Sequence, residues 1–137
     1  MNLYVDSSVV LRIILGEPDP LPSWSSADRL VASELVRVEC LRTIDRARIV
    51  LRLDDQEVAR HRQAAIETIE SLSLVTISPA ILERAAEPFP TVIGSLDAIH
   101  LASAVRARTD FEALAFATHD MQLGTAARAM GFSVQGI

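Results

Sequence analysis

Four carboxylates stand where an acid could do chemistry: Asp6, Glu39, Asp97 and Asp120. Asp6 directly follows the apolar run Leu3-Tyr4-Val5, and Asp120 follows a second run, Ala113 to Ala117, by three residues. Each has a purely structural alternative, because an aspartate between a strand and a helix is a common N-cap. Asp97 falls in the first turn of an expected helix, where the helix dipole alone favours an anion. Leu101 and Ala104 continue its face, which turns Asp97 inward. Glu39 is harder to explain. At about 100° per residue it lies between Leu35 and Val36, in the apolar arc of its helix. A bare carboxylate there is costly unless it is paired or metal-bound. Its structural alternative is an ion pair with Arg42 or Arg46. An oxygen-only donor set suits a hard cation such as Mg²⁺ or Mn²⁺.

Other polar residues read as structural first. His100 is expected on the edge of its helix, and the His119 side chain is expected to point away from Asp120. No two histidines have the His-x-x-x-His spacing of zinc enzymes. Trp24 reads as an anchor or interface residue. The arginines from Arg37 to Arg62 read first as a solvated helical face and second as an RNA or partner surface.

The elements that must position the carboxylates alternate in type. Leu3 to Val5 is an expected strand, and Ser7 can cap a helix over Val9 to Leu15 that Gly16 and Pro18 end. Residues 16–28 contain Pro18, Pro20 and Pro22 and read as a loop, with a short helix around Trp24. Leu30 to Ala32 is an expected strand, and Ser33 can cap a helix to about Ile49. Asp54 and Glu57 have capping-box spacing for a helix over about 55–71. Leu74 to Ile77 is a strand, and Ser78-Pro79 opens a helix to about Glu87. Pro88 to Gly94 is a loop, and Ser95 can cap a small-residue helix from Asp97 to about Arg108. Ala113 to Ala117 is a strand, followed by a helix over about 121–130 that Gly131 ends. Phe132 to Val134 is the last strand. This alternation predicts an α/β fold, a three-layer α/β/α sandwich with a mostly parallel sheet. Ligands of such sheets bind beyond the carboxyl ends of the strands, which is where Asp6 and Asp120 fall.

Composition narrows the function. The chain has 137 residues, which predicts one domain spanning 1–137. Cys40 is the only cysteine, so neither an internal disulfide nor a cysteine zinc site is available. All 13 basic residues are arginine. Without lysine there is no Walker A lysine and no Schiff-base lysine. The N-terminus does not read as a signal peptide, and no apolar run approaches the ~20 residues of a membrane span. A cytoplasmic protein is expected. The formal charge of −5 argues against a simple nucleic-acid-binding module, which usually presents a basic surface.

Taken together, the four acidic stretches resemble the PIN-domain family, and within it the VapC-type toxin nucleases of bacterial toxin–antitoxin pairs. Leu3-Tyr4-Val5-Asp6-Ser7-Ser8-Val9-Val10 resembles the family's opening strand, aspartate and hydroxyl residue. Ser33 to Glu39 resembles its helix with an inward glutamate. Leu96-Asp97-Ala98-Ile99-His100-Leu101-Ala102-Ser103-Ala104 resembles its third acidic motif, and Ala117-Thr118-His119-Asp120-Met121-Gln122-Leu123 its closing one. The resemblance implies a metal-dependent endoribonuclease using Mg²⁺ or Mn²⁺, an RNA substrate, a cognate antitoxin and a homodimer. It also implies that Asp6 and Asp97 are the leading ligands, then Glu39, then Asp120, whose position varies in the family. Ser7 and Thr118 would orient the carboxylates.

Two other readings compete. A PIN-like fold that only docks a partner protein predicts that Glu39 is spent on Arg42 or Arg46. A haloacid-dehalogenase-type phosphatase would want a second acid two residues after Asp6, where Ser8 stands, and a lysine that is missing.

Overall fold

The computed structural model describes all of residues 1–137. Five strands form one sheet: β1 (Asn2–Val5), β2 (Arg29–Ser33), β3 (Ser73–Val75), β4 (Ala115–Ala117) and β5 (Val134–Gln135). Their order across the sheet is β3-β2-β1-β4-β5, and all four pairings are parallel. Six helices connect them: α1 (Ser7–Ile14), α2 (Leu35–Val50), α3 (Asp55–Glu70), α4 (Pro79–Ala86), α5 (Ser95–Ala107) and α6 (Met121–Ala129). A 3₁₀ turn at Pro22–Trp24 interrupts the proline-rich loop, and Trp24 packs against the core from there.

Strand alternation sends side chains to two faces. Leu3, Val5, Ala32, Ala115 and Ala117 pack with Val9, Val10, Val36, Cys40, Ile44 and Ile69, which places α1, α2 and α3 on one face. Tyr4, Val31 and Phe116 pack with Leu101, Ala104, Leu123 and Ala127, which places α5 and α6 on the other. The α4 helix packs beside α5. The result is the α/β/α sandwich expected from the alternation, with an entirely parallel sheet. Tyr4 and Phe116 stack in its middle, ring centroids 5.1 Å apart.

The chain builds outward from β1 through β2 to β3, then crosses to β4 and β5 on the other side. The direction of building therefore reverses between β1 and β4. Such a switch point opens a crevice at the carboxyl ends of the two strands. The β1 end carries Asp6, and the β4 end leads into Thr118 and Asp120.

Several expected caps and boundaries move. Asp6, not Ser7, is the N-cap of α1; Ser7 is its first helical residue. Ser33 completes β2, and its hydroxyl accepts from the Leu35 N–H one turn-residue on, while Glu34 holds the cap position of α2. Gly94, not Ser95, precedes α5. The capping box of Asp54 and Glu57 and the Ser78-Pro79 opening of α4 are as expected. Strand β3 ends at Val75, and β5 starts two residues and ends one residue later than expected.

Candidate functional site

Asp6 is almost completely buried, and both of its oxygens are held. Oδ1 accepts from the Ser8 hydroxyl at 2.6 Å and from the Val9 N–H at 3.2 Å. Oδ2 accepts from the Thr118 hydroxyl at 2.7 Å. Asp6 is thus the N-cap of α1 and also a tethered carboxylate at the crevice. The structural and the functional readings of this residue are compatible.

Thr118 joins β1 to the far side of the crevice. While its hydroxyl donates to Asp6, it accepts from the Asp120 N–H at 2.9 Å. Asp120 caps α6, with Oδ1 accepting from the Leu123 N–H at 3.0 Å. Its side chain is exposed. The Ser8 hydroxyl adds a second link, accepting from the His119 N–H at 2.9 Å. The His119 ring turns away from Asp120, with Nδ1 2.9 Å from the Gly136 carbonyl.

Glu39 projects from the early part of α2 and is half-buried. It pairs with neither Arg42 nor Arg46; Arg42 is taken by Asp45 at 3.1 Å. Instead, Glu39 Oε1 accepts from the Ser7 hydroxyl at 2.7 Å and lies 2.6 Å from His100 Nε2. Burial pushes the Glu39 carboxyl up, but the hydrogen bond and charge of His100 and the hydrogen bond from Ser7 outweigh it and hold the group below its ordinary value. Glu39 is therefore ionised in neutral solution.

Asp97, in the first turn of α5, has no hydrogen bond to support its charge. Burial pushes its carboxyl above the ordinary range, and the negative charges of Asp120, Asp6 and Glu39 push it further. Only His100 pulls the other way. Asp97 is thus the point where the fields of the other three acids meet. Neighbouring Cys40 is no nucleophile: burial and the charges of Glu39 and Asp6 raise its thiol to about 12.

The donor set fits a hard divalent cation in type, since every group is a carboxylate or hydroxyl oxygen. A crowded, unpartnered Asp97 is what a missing counter-charge would leave. As the side chains stand, no three acidic, histidine or cysteine groups are close enough to grip one ion together.

Comparison with known proteins decides the family. The model of the PIN domain matches residues 3–127. This chain belongs to the PIN-domain family, in its VapC branch. Ribonuclease VapC46 of Mycobacterium tuberculosis is 31% identical over 135 residues, covering 96% of this chain and 95% of the relative. Ribonuclease VapC47 of the same species is 28% identical over 137 residues, covering 95% and 93%. Among solved structures, VapBC2 from Rickettsia felis, bound to a DNA fragment from their promoter, has a TM-score of 0.66 at 12% identity, covering 98% of each chain. PAE2754 from Pyrobaculum aerophilum has a TM-score of 0.64 at 15% identity, covering 99% of this chain and 84% of that one. At such identities the two structures speak for the fold alone.

Within this PIN domain, three site residues were not expected from sequence. His100 is not on a helix edge; it is buried, between Glu39 and Tyr4. It stands three residues after Asp97, and residues three apart share a helix face. The inward face drawn through Asp97, Leu101 and Ala104 therefore already passed by His100. Ser8 was overshadowed by Ser7, yet Ser8 binds Asp6 and Ser7 binds Glu39. Tyr4 reads as core, and only its hydroxyl reaches the site.

Proposed function

We propose that this chain is a metal-dependent endoribonuclease, the toxin of a toxin–antitoxin pair, acting as one nuclease domain over residues 1–137. The observation that carries the reading is Asp97: a half-buried carboxylate without a hydrogen bond, facing the charges of Asp120, Asp6 and Glu39. Two like charges ~7 Å apart at an effective dielectric of ~40 repel by about 1 kcal/mol. Such crowding costs stability unless a cation offsets it. Support for RNA as the substrate comes from the names of the two mycobacterial relatives.

Asp6, Asp97, Glu39 and Asp120 would hold Mg²⁺ or Mn²⁺, in that order of importance. When bound, the metal supplies charge stabilisation at the phosphate and an activated water. The chain's own residues do the rest. Thr118 and Ser8 fix Asp6 at the end of β1. Ser7 and His100 fix Glu39. Thr118 also sets the backbone of Asp120, so one hydroxyl registers both sides of the crevice. The partner proteins proposed are a cognate antitoxin and a second copy of the chain, in the cytoplasm. No helix is long and apolar enough to cross a membrane. Against the inert docking module stands Glu39, which is not spent on an arginine.

The test is incubation of the purified protein with total RNA in Mg²⁺ or Mn²⁺, and again in EDTA. Wild type is expected to cleave only with metal. Asp6→Ala and Asp97→Asn are expected to lose activity by on the order of 10²-fold or more, because even groups that merely support ligands cost up to about that. Asp97→Asn breaks no hydrogen bond, so its loss cannot be ascribed to misfolding. Equal cleavage by wild type and both variants would reject the assignment.

A further inference from the structure

Two buried nitrogens outside the carboxylate crevice, Arg12 Nε and His119 Nε2, bond no protein atom. Buried polar groups in native proteins are nearly always hydrogen-bonded, so such exceptions call for an explanation. Both residues line one cleft of about 420 Å³, with Asp19, Ser23, Gln135 and Gly136 among its other walls. Those walls are already engaged. Arg12 Nη1 donates to the Asp19 carbonyl at 3.3 Å, and the Ser23 hydroxyl donates to the Gln135 side chain. His119 Nδ1 lies 2.9 Å from the Gly136 carbonyl. The cleft adjoins the crevice. Ser8 donates to Asp6 and accepts from the His119 N–H. It stands four residues before Arg12 in α1, and residues four apart share a helix face. At 1.5 Å per residue, Arg12 is about 6 Å further along α1 than the residue that ties Asp6 to His119.

The lining decides what ligand fits. An anion is disfavoured, because Glu17 lies 3.7 Å from Arg12 Nε and Asp19 adds a second acidic residue to the wall. A wholly apolar group would leave both nitrogens unpaired. A neutral hydroxyl suits both. Its oxygen accepts from Arg12 Nε–H. A hydroxyl is donor and acceptor at once, so it pairs with His119 Nε2 whichever way that ring is protonated.

We propose that this cleft is a ribose subsite. The 2′-hydroxyl of a nucleotide next to the one held at the acidic crevice bonds Arg12 Nε and His119 Nε2, so that the chain prefers RNA to DNA. That hydroxyl is the group by which a protein tells the two nucleic acids apart at a given site. The identity of the ligand rests on the ribonuclease reading above, but the subsite needs no metal. Arg12 and His119 bind and select; neither takes part in bond breaking.

The experiment is fluorescence anisotropy on the whole protein with single-stranded oligonucleotides of one mixed sequence, made as RNA and as DNA. It is run at low salt, where binding is strongest, and in EDTA, with gels to confirm that the strands stay intact. Wild type is expected to bind RNA about tenfold tighter than DNA, the effect of one hydrogen bond to a charged group. Arg12→Ala and His119→Ala are each expected to remove most of that preference by weakening RNA binding. DNA, which has no 2′-hydroxyl to lose, is expected to change much less. A merely structural role would weaken both strands equally. RNA, and not DNA, is expected to shift the amide signals of Ser23 and Gly136 in ¹H–¹⁵N spectra. A wild type without RNA preference would overturn the proposal, and so would variants that keep the preference or that lose both strands alike. The ribonuclease reading fails separately. If the preference and its loss in both variants are seen but Mg²⁺ or Mn²⁺ brings no cleavage, the ribose subsite stands and the enzyme reading falls. If RNA is cut with metal but bound no better than DNA, the subsite alone falls.

Discussion

Asp97 is a residue that the metal-free fold tolerates at a cost. Its carboxyl is pushed up by burial and by three like charges. The native state therefore holds this proton more tightly than the unfolded chain, whose aspartates titrate near ~3.9. Wherever the native state binds more protons, stability falls as pH rises. In EDTA, the Asp97 contribution is expected to weaken the protein as pH rises from about 4 through the raised native value. Asp97→Asn removes both the slope and the crowding. The variant should melt higher than wild type at neutral pH, by a few degrees if about 1 kcal/mol is relieved. Mg²⁺ or Mn²⁺ at a hundredfold excess over Kd should stabilise wild type by roughly 2.7 kcal/mol and the variant by less. Melting curves that respond neither to metal nor to this substitution would contradict the crowded-site account. Position along the chain left each carboxylate with a bland alternative. For Asp6 and Asp120 that alternative is also true, because both cap helices. Only Glu39 carried a local signal of unmet charge, and its true partner, His100, lies 61 residues away. Short-range spacing pointed to Arg42 instead because it cannot see contacts closed by the fold.

At the scale of elements, the last strand holds the site from the side. Thr118 N–H donates to the Gln135 carbonyl at 3.1 Å, so β5 fixes the residue that links Asp6 to Asp120. Gly136 follows directly with φ +95°, a conformation that side-chain-bearing residues rarely adopt. A Cβ there would stand 2.5 Å from the Thr118 carbonyl oxygen. Gly136→Ala is expected to cost on the order of 1–3 kcal/mol, and to lower Mn²⁺ affinity as Thr118 shifts. Thermal melting and Mn²⁺ calorimetry would check this; a variant equal to wild type in both would show that β5 does not support the site. The elements themselves were largely legible, because apolar runs and turn residues punctuate the chain clearly. Their edges were less so. Strand β4 begins two residues later than its apolar run, since Ala113 takes φ +50° and cannot join a ladder. Ser33 reads as a cap but stays in β2, opposite Val75, and serves Leu35 from there. The pairing of β1 with β4, which creates the crevice, joins residues more than 110 apart. No local pattern encodes that neighbour; only the rule that parallel α/β sheets bind at switch points pointed to the same end of the molecule.

For the whole molecule, the net charge of −5 makes RNA an unfavourable partner except where cation and arginine offset it. The same surface leaves an apolar cluster at the end of α2 for a protein partner. Val38, Ile49, Val50 and Leu51 are all more than half exposed on or just beyond α2. Arg42 and Arg46 accompany them on the exposed side of the helix. Single exposed apolar residues such as Val38 are ordinary, but the adjacent Ile49, Val50 and Leu51 form a patch of the kind that marks an interaction surface. We propose this face, with α3 beside it, as the seat of the antitoxin. The placement has a functional consequence, because Val38 adjoins Glu39 in sequence. A partner lying along α2 would reach the edge of the acidic crevice and could shield it from RNA. Placing two charges in a desolvated apolar contact is expected to cost about 2 kcal/mol or more of binding. Ile49→Asp with Val50→Asp should therefore weaken antitoxin binding by roughly 30-fold or more. Neither side chain belongs to the core, so melting temperature and RNA cleavage by the free protein should stay near wild type. Cleavage by the variant should instead resist inhibition when antitoxin is added. Wild-type antitoxin affinity in this double variant would place the partner on another face.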